Sequence, residues 1–190
     1  VGRYFCPNDS VLDFGCSDGM LLTSLPGREK AGVEVNCFSR AFAVKNGFEV
    51  EATIDAFRGR TFTRIVSCHC LEHVPNPAAT LDSLRPALAP GGKLVLNLPM
   101  DDCRAKPQRQ WREGEVNQHL YAWTPLTLGN LLAVSGFRPE SVRIHKFLYP
   151  SRPSWLHEWG VRFPAVYHAA ARAYCAVRPR PQLVAIASLA

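Results

Sequence analysis

Val11-Leu12-Asp13-Phe14-Gly15-Cys16-Ser17-Asp18-Gly19, together with Glu34 further on, is the stretch on which the fold turns. An apolar run ends in an acid, and a turn with glycines at Gly15 and Gly19 then opens an amphipathic segment. A second apolar run, Ala31-Gly32-Val33, delivers the carboxylate of Glu34. A βαβ unit that binds a nucleoside has this pattern: glycines let backbone approach the ligand, and an acid ending the second strand accepts hydrogen bonds from ribose hydroxyls. The G-x-G-x-x-G that cradles a pyrophosphate is not there. Ser17 takes the middle place and Asp18 adds a carboxylate, so the turn suits an ammonium or sulfonium better than a phosphate.

Outward from this unit, strands and helices alternate, which predicts a mostly parallel α/β sheet. Strands are expected near 10–14, 30–34, 48–52, 63–68, 92–98, 140–147 and 182–189, and helices near 18–25, 37–46, 77–88 and 125–135. Asn76-Pro77 starts one helix with proline in its first turn, and Pro90-Gly91-Gly92 stops it before Lys93-Leu94-Val95-Leu96. Thr124-Pro125 caps the next helix, and Gly136-Phe137 ends it. Two segments break the rhythm. Residues 100–123 are polar and aromatic and follow the fifth strand, at the carboxyl edge where open α/β sheets bind ligands. Residues 149–181 form an aromatic, arginine- and proline-rich insertion with helical character from Phe163 onward.

The same letters Gly15-Cys16-Ser17-Asp18-Gly19 also spell G-x-S-x-G, the nucleophile elbow of a serine hydrolase. That elbow needs several strands and an oxyanion loop before it, and only about ten residues precede the first strand here. Ser17 as a nucleophile is therefore the weaker reading.

At 190 residues, 47% hydrophobic and 20% charged, the chain reads as one globular domain over 1–190. No apolar run is long enough for a membrane span, and no signal peptide is visible. Seven cysteines without regular spacing argue against a disulfide framework and for the cytoplasm. Cys68-His69-Cys70 with His73 invites a zinc reading, but on a strand Cys68 and Cys70 face away from His69, and no second C-x-x-C completes a set. Buried cysteines and no metal are expected. The net charge of +6 is lopsided: residues 1–99 carry 10 basic against 10 acidic side chains, residues 100–190 carry 12 against 6. A basic second half fits an anionic substrate, an anionic membrane surface or a carrier protein as well as a plain solvated surface. No Lys/Arg run points to nucleic acid.

On the first motif, Asp13-x-Gly15-x-Ser17-x-Gly19, the chain resembles the class I S-adenosylmethionine (SAM)-dependent methyltransferases, with Ser17 in place of the usual middle glycine. Ile65 to Pro75, containing Leu71-Glu72-His73-Val74, is similar to the fourth-strand segment of the branch that modifies small molecules. Pro90-Gly91-Gly92-Lys93-Leu94-Val95-Leu96 and the run from His119 to Gly136-Phe137 match later pieces of that branch, so the resemblance covers roughly 10–147. It implies a Rossmann-like seven-stranded, mostly parallel sheet with helices on both faces, an antiparallel last strand and a helical insertion before it. It also implies roles. Asp13, Gly15 and Gly19 shape the turn around the methionine part of SAM, and Cys16 and Ser17 offer backbone N–H groups to its carboxylate. Glu34 takes the ribose hydroxyls and Val35 packs on adenine. Asp55 with the backbone of Ala56 meets the adenine edge, and Ser67 and His69 lie near the methyl group. His119 and His69 are the candidate bases, while His73 steadies its loop. Methyl transfer to a sugar, lipid, quinone or other metabolite, leaving S-adenosylhomocysteine, follows. Family members carry a helical N-terminal cover that Val1–Asp9 is too short to form, so either 100–123 and 149–178 supply it or part of the natural protein lies outside this sequence. A non-catalytic, partner-binding module on the same fold is the second reading.

Overall fold

The computed structural model describes residues 1–100, 110–115, 117–147, 163, 165–167, 169–170, 173 and 180–190. Among them run β1 (Ser10–Phe14), α1 (Met20–Ser24), β2 (Glu29–Val33), α2 (Cys37–Lys45), β3 (Glu49–Glu51), β4 (Phe62–Cys68), α3 (Pro77–Leu84), β5 (Leu88–Pro99), α4 (Pro125–Val134), β6 (Phe137–Phe147) and β7 (Arg180–Leu189). The strands form one sheet in the order β3-β2-β1-β4-β5-β7-β6. Pairs β1–β2, β2–β3, β1–β4 and β4–β5 are parallel, and β7 runs antiparallel to both neighbours. This is the architecture expected from the resemblance.

The period-2 alternation of the central strands builds two cores. Leu12, Ile65, Leu94, Leu96 and Leu98 face one side, where Leu81 and Leu84 of α3 and Leu128 and Leu132 of α4 cover them. Val11, Val66 and Val95 face the other, against Leu22 of α1 and Ala43 of α2. A sheet buried on both faces needs nearly continuous apolar strands, which is what these sequences supply. The asymmetry puts the interruptions (Asp13, Ser67, Asn97) toward the carboxyl ends of the strands, where loops meet.

The helix ends differ from expectation for local reasons. α1 begins only at Met20 because Gly19 stands at φ +81, and it stops at Ser24 because Pro26 drives Leu25 to an extended conformation at ψ 139. α3 gives way at Leu84 to a 3-10 turn over Arg85–Ala87, since Pro86 has no N–H to continue the ladder. β5 starts four residues earlier than expected, at Leu88, with a register shift against β4 between Phe62 and Arg64. β6 starts at Phe137 directly after Gly136 (φ +72) rather than at 140. At the far side of the sheet Lys93 pairs with Glu140, whose carboxyl is held below its usual range mainly by that ammonium.

The chain divides into two compact units, Val1–Arg143 with Leu183–Ala190, and Ile144–Gln182. In the second, residues 165–167, 169–170 and 173 are helical, with the Tyr167 N–H donating to the Phe163 carbonyl at 3.0 Å. Most of the 149–181 insertion, with Trp155, Trp159 and Tyr174, lies outside the described residues, as do positions 101–109 and 116 of the 100–123 segment.

Candidate active site

The turn after β1 is closed by its own backbone. The N–H groups of Gly15 and Cys16 both donate to the Val33 carbonyl, at 2.8 and 3.1 Å, and the Gly19 N–H donates to Cys16 at 2.9 Å. Gly15 (φ +82), Ser17 (φ +50) and Gly19 (φ +81) all stand in the left-handed region. Ser17 is thus a side-chain-bearing residue at a position glycine would occupy without strain. Its hydroxyl makes no hydrogen bond among the described residues, so nothing is lost by removing it. Ser17→Gly should raise stability by about 1 kcal/mol or slightly less, seen as a higher denaturant midpoint at unchanged slope.

Glu34 is the hub. Its carboxylate accepts from the Ser17 N–H and the Asn36 N–H, one to each oxygen, both at 2.8 Å. Its backbone N–H donates to Glu51 on β3 at 2.9 Å, and Arg40 of α2 holds its carbonyl at 2.7 Å. Each carboxylate oxygen keeps a further lone pair. Val35, next in the chain, is 81% exposed. The N–H groups of Cys16 and Ser17 donate to the Val33 carbonyl and the Glu34 carboxylate. The glycines also let protein atoms approach the turn closely: a Cβ on Gly15 would lie 2.5 Å from the Cys70 Sγ, and one on Gly19 would lie 2.9 Å from the Phe48 ring. They let neighbouring elements close on the turn.

Asp13 lies beneath, paired in register with Gly32 and Val66, 1% exposed and with Oδ1 unpartnered. Burial, reinforced by the Glu34 charge, raises its pKa from 3.8 to about 7. The same burial, with Asp13 and Glu34 adding to it, pushes the Cys16 thiol up to about 12. Cys70 likewise reaches about 12, by burial first and then the Glu72 charge. These thiols are neutral, apolar fillers.

The Gly15–Cys70 contact brings the loop after β4 to the β1 turn. Ser67 is buried near the carboxyl end of β4, and His69 follows at φ +53 with its side chain 41% exposed. The His69 N–H donates to the Asn97 carbonyl at 2.9 Å, and the Asn97 amide donates to the Cys68 sulfur at 3.2 Å. The segment ending at Trp123 packs on this loop: the Leu120 N–H donates to the Glu72 carbonyl at 2.9 Å and the Tyr121 hydroxyl to the Pro75 carbonyl at 2.7 Å. His119 thereby meets His73, ring centroids 5.0 Å apart at 71°. A cavity of about 540 Å3 opens along 110–120, lined by Trp111, Arg112, Glu115 and His119 among others. Sequence reading missed Glu72, which is fully buried between these histidines. Its signal in the sequence was its place in the Leu71-Glu72-His73-Val74 run.

Asp55 lies in a 3-10 turn over Ile54–Phe57 after β3, its side chain 77% exposed and paired with Arg58 at 3.3 Å, and the Ala56 N–H donates to the Thr53 carbonyl at 3.4 Å. An exposed pair of this kind exchanges readily with solvent or ligand. For the hydrolase reading, no histidine hydrogen-bonds the Ser17 hydroxyl among the described residues.

A family model described as a methyltransferase domain matches residues 3–142, about three quarters of the chain. The chain belongs to the class I SAM-dependent methyltransferase family. The ubiquinone biosynthesis O-methyltransferase of Xylella fastidiosa (strain M23) is 33% identical over 100 residues, covering 46% of this chain and 40% of that protein. That of Idiomarina loihiensis is 27% identical over 128 residues, covering 60% of this chain and 51% of that protein. The chain thus spans about half or less of the length of these relatives. Among solved structures, a SAM-dependent methyltransferase from Methanosarcina mazei superposes with a TM-score of 0.65 at 17% identity, covering 97% of this chain and 94% of that one. The complex of DhpI with SAH gives 0.60 at 16% identity, covering 95% and 76%. At these identities the likeness is one of fold.

Proposed function

We propose that the chain binds SAM at the β1 turn and transfers its methyl group to a small-molecule acceptor. The observation that carries this reading is Glu34: a carboxylate fixed at the end of β2 by two backbone N–H groups, with lone pairs left for two ribose hydroxyls. The donor set fits the cofactor. The unpartnered Asp13 Oδ1 and the acids Asp18 and Glu34 favour a sulfonium and disfavour a phosphate, and the exposed Val35 offers an apolar face to adenine. Asp13, Gly15, Cys16, Ser17 and Gly19 form the cradle, Asp55 and Ala56 flank the base, and Ser67 lies toward the methyl end. When bound, SAM supplies an electrophilic methyl carbon on a positively charged sulfur.

What this chain then contributes is placement and dryness, because an in-line displacement that neutralises charge needs little new electrostatic stabilisation. Segment 110–123, pinned at Glu72 and Pro75, covers the acceptor and excludes water. His69 takes the acceptor's proton where the nucleophile must lose one, and His119 is the other candidate base. The relatives' activity favours an oxygen nucleophile. The basic second half favours an anionic or lipid-like acceptor and brief contact with a membrane surface. No helix among the described residues is long and apolar enough to cross a membrane. We place the protein in the cytoplasm and read 1–190 as one methyltransferase domain, with 100–123 and 149–181 capping the substrate.

Calorimetric titration with SAM and with S-adenosylhomocysteine tests the reading. Micromolar binding of both is expected. A folded chain that binds neither would leave the partner-binding module as the better account.

A further inference from the structure

Glu72 is 0% exposed, and neither of its carboxylate oxygens accepts a hydrogen bond. Two buried carboxylate oxygens without donors are costly, so the site asks for a partner. Three imidazoles surround it. His69 Nδ1 is 3.6 Å and His73 Nε2 is 3.9 Å from Oε1, both too long for a hydrogen bond. One atom each from Glu72, His73 and His119 fall within 4.8 Å of one another. Ligands bound at about 2.0–2.1 Å to one tetrahedral ion sit roughly 3.3 Å apart, so small rotations of the half-exposed His73 and the partly exposed His119 close the set. The backbone favours this arrangement, since the Leu120 N–H bond to the Glu72 carbonyl fixes the residue after His119 to the carboxylate's own backbone.

We propose that Glu72, His73 and His119 bind a divalent cation of the zinc type. Two imidazoles and one carboxylate suit zinc or a similar borderline ion, and do not suit magnesium or calcium, which prefer all-oxygen shells. Three protein ligands leave a fourth position open, as metal sites that act on a ligand do. His69, whose Nδ1 is 3.6 Å from the Glu72 carboxylate, is the nearby side chain with which an acceptor at that position would be shared. There the ion would bind an acceptor oxygen and lower its pKa, a role that rests on the methyltransferase reading, whereas cation binding itself does not. His119 then serves as a ligand, and the base role stays with His69.

The test is titration of the chelator-treated full chain with zinc chloride by calorimetry, with cobalt(II) as an absorbance reporter of four-coordinate geometry. One ion per chain and tetrahedral cobalt bands are expected. His119→Ala should weaken binding by more than about 100-fold, beyond what loss of an outer-sphere partner costs. Glu72→Gln should do the same, and His145→Ala should leave binding unchanged. His119→Ala removes a partly exposed loop side chain, so its result stands even if the buried Glu72→Gln fails to fold. Absence of saturable binding, or equal loss in His145→Ala and His119→Ala, would overturn the proposal. SAM titration is read separately, so failure of the metal site and failure of the cofactor site are distinguishable.

Discussion

Glu34→Ala is expected to weaken SAM and S-adenosylhomocysteine binding at least about 100-fold, to the edge of calorimetric detection. Two hydrogen bonds from ribose hydroxyls to a carboxylate are each worth about 1.5–3 kcal/mol, and either alone approaches a tenfold effect or more. The substitution also frees the Ser17 and Asn36 N–H groups that the carboxylate now holds at 2.8 Å. The turn that should receive the ligand therefore loosens as well. Both ligands share the ribose, so both must lose affinity together. Glu34→Gln keeps the shape but only one acceptor: the amide oxygen can accept one N–H bond, while its NH2 can accept neither the other N–H nor a ribose hydroxyl, so binding should fall, and the urea midpoint reads how much of the loss comes from the loosened turn. Retention of affinity within tenfold in Glu34→Ala would remove the ribose assignment.

Asp13→Asn should stabilise the protein at pH 8 by an amount on the order of 2–4 kcal/mol, and change it little at pH 4. The folded-state pKa of Asp13 is raised, from 3.8 to about 7, mainly by burial and then by Glu34. Between those values the folded chain holds a proton that the unfolded chain has released. Wild-type stability from this group is thus fully present below about pH 4, falls as pH rises toward 7, and is flat above. Asparagine mimics the protonated acid at every pH and escapes that loss. Urea midpoints across pH 4–8 for both proteins check it: parallel curves would mean that Asp13 titrates as an ordinary acid. The same shift gives a binding signature. A sulfonium beside Asp13 favours its ionised form, so SAM affinity should rise with pH toward 7, and S-adenosylhomocysteine, neutral at sulfur, should follow much less.

The sheet was legible because its rules are local. Period-2 apolar runs, Asn76-Pro77 at one helix start and Gly136 at another's end carry their own geometry. Glu34 was legible for the same reason: strand, turn, helix and strand fix its place within one βαβ unit. What sequence could not give is contact between loops that leave different strands. That Cys70, from the loop after β4, closes on Gly15 is one such contact. That the N–H groups of Cys16 and Ser17 donate to Val33 and Glu34 is another. Glu72 and His119 are 47 positions apart, and nothing in either neighbourhood announces that segment 117–123 folds back over Glu72 to Pro75. The ends of α1 and α3 have a separate cause, the prolines at 26 and 86, which act on the residues just before them.

The placement of β7 between β5 and β6 has a consequence for how the protein is made. β6 hydrogen-bonds into the sheet only through β7, yet it leaves the ribosome some thirty residues earlier. For the few seconds of synthesis in between, β1 to β5 can pair among themselves while β6 waits without a neighbour. The open side of β5 is then a templating edge for any other extended chain. A nascent chain stalled in that interval, with β6 out and β7 not yet out, is the species that should engage chaperones.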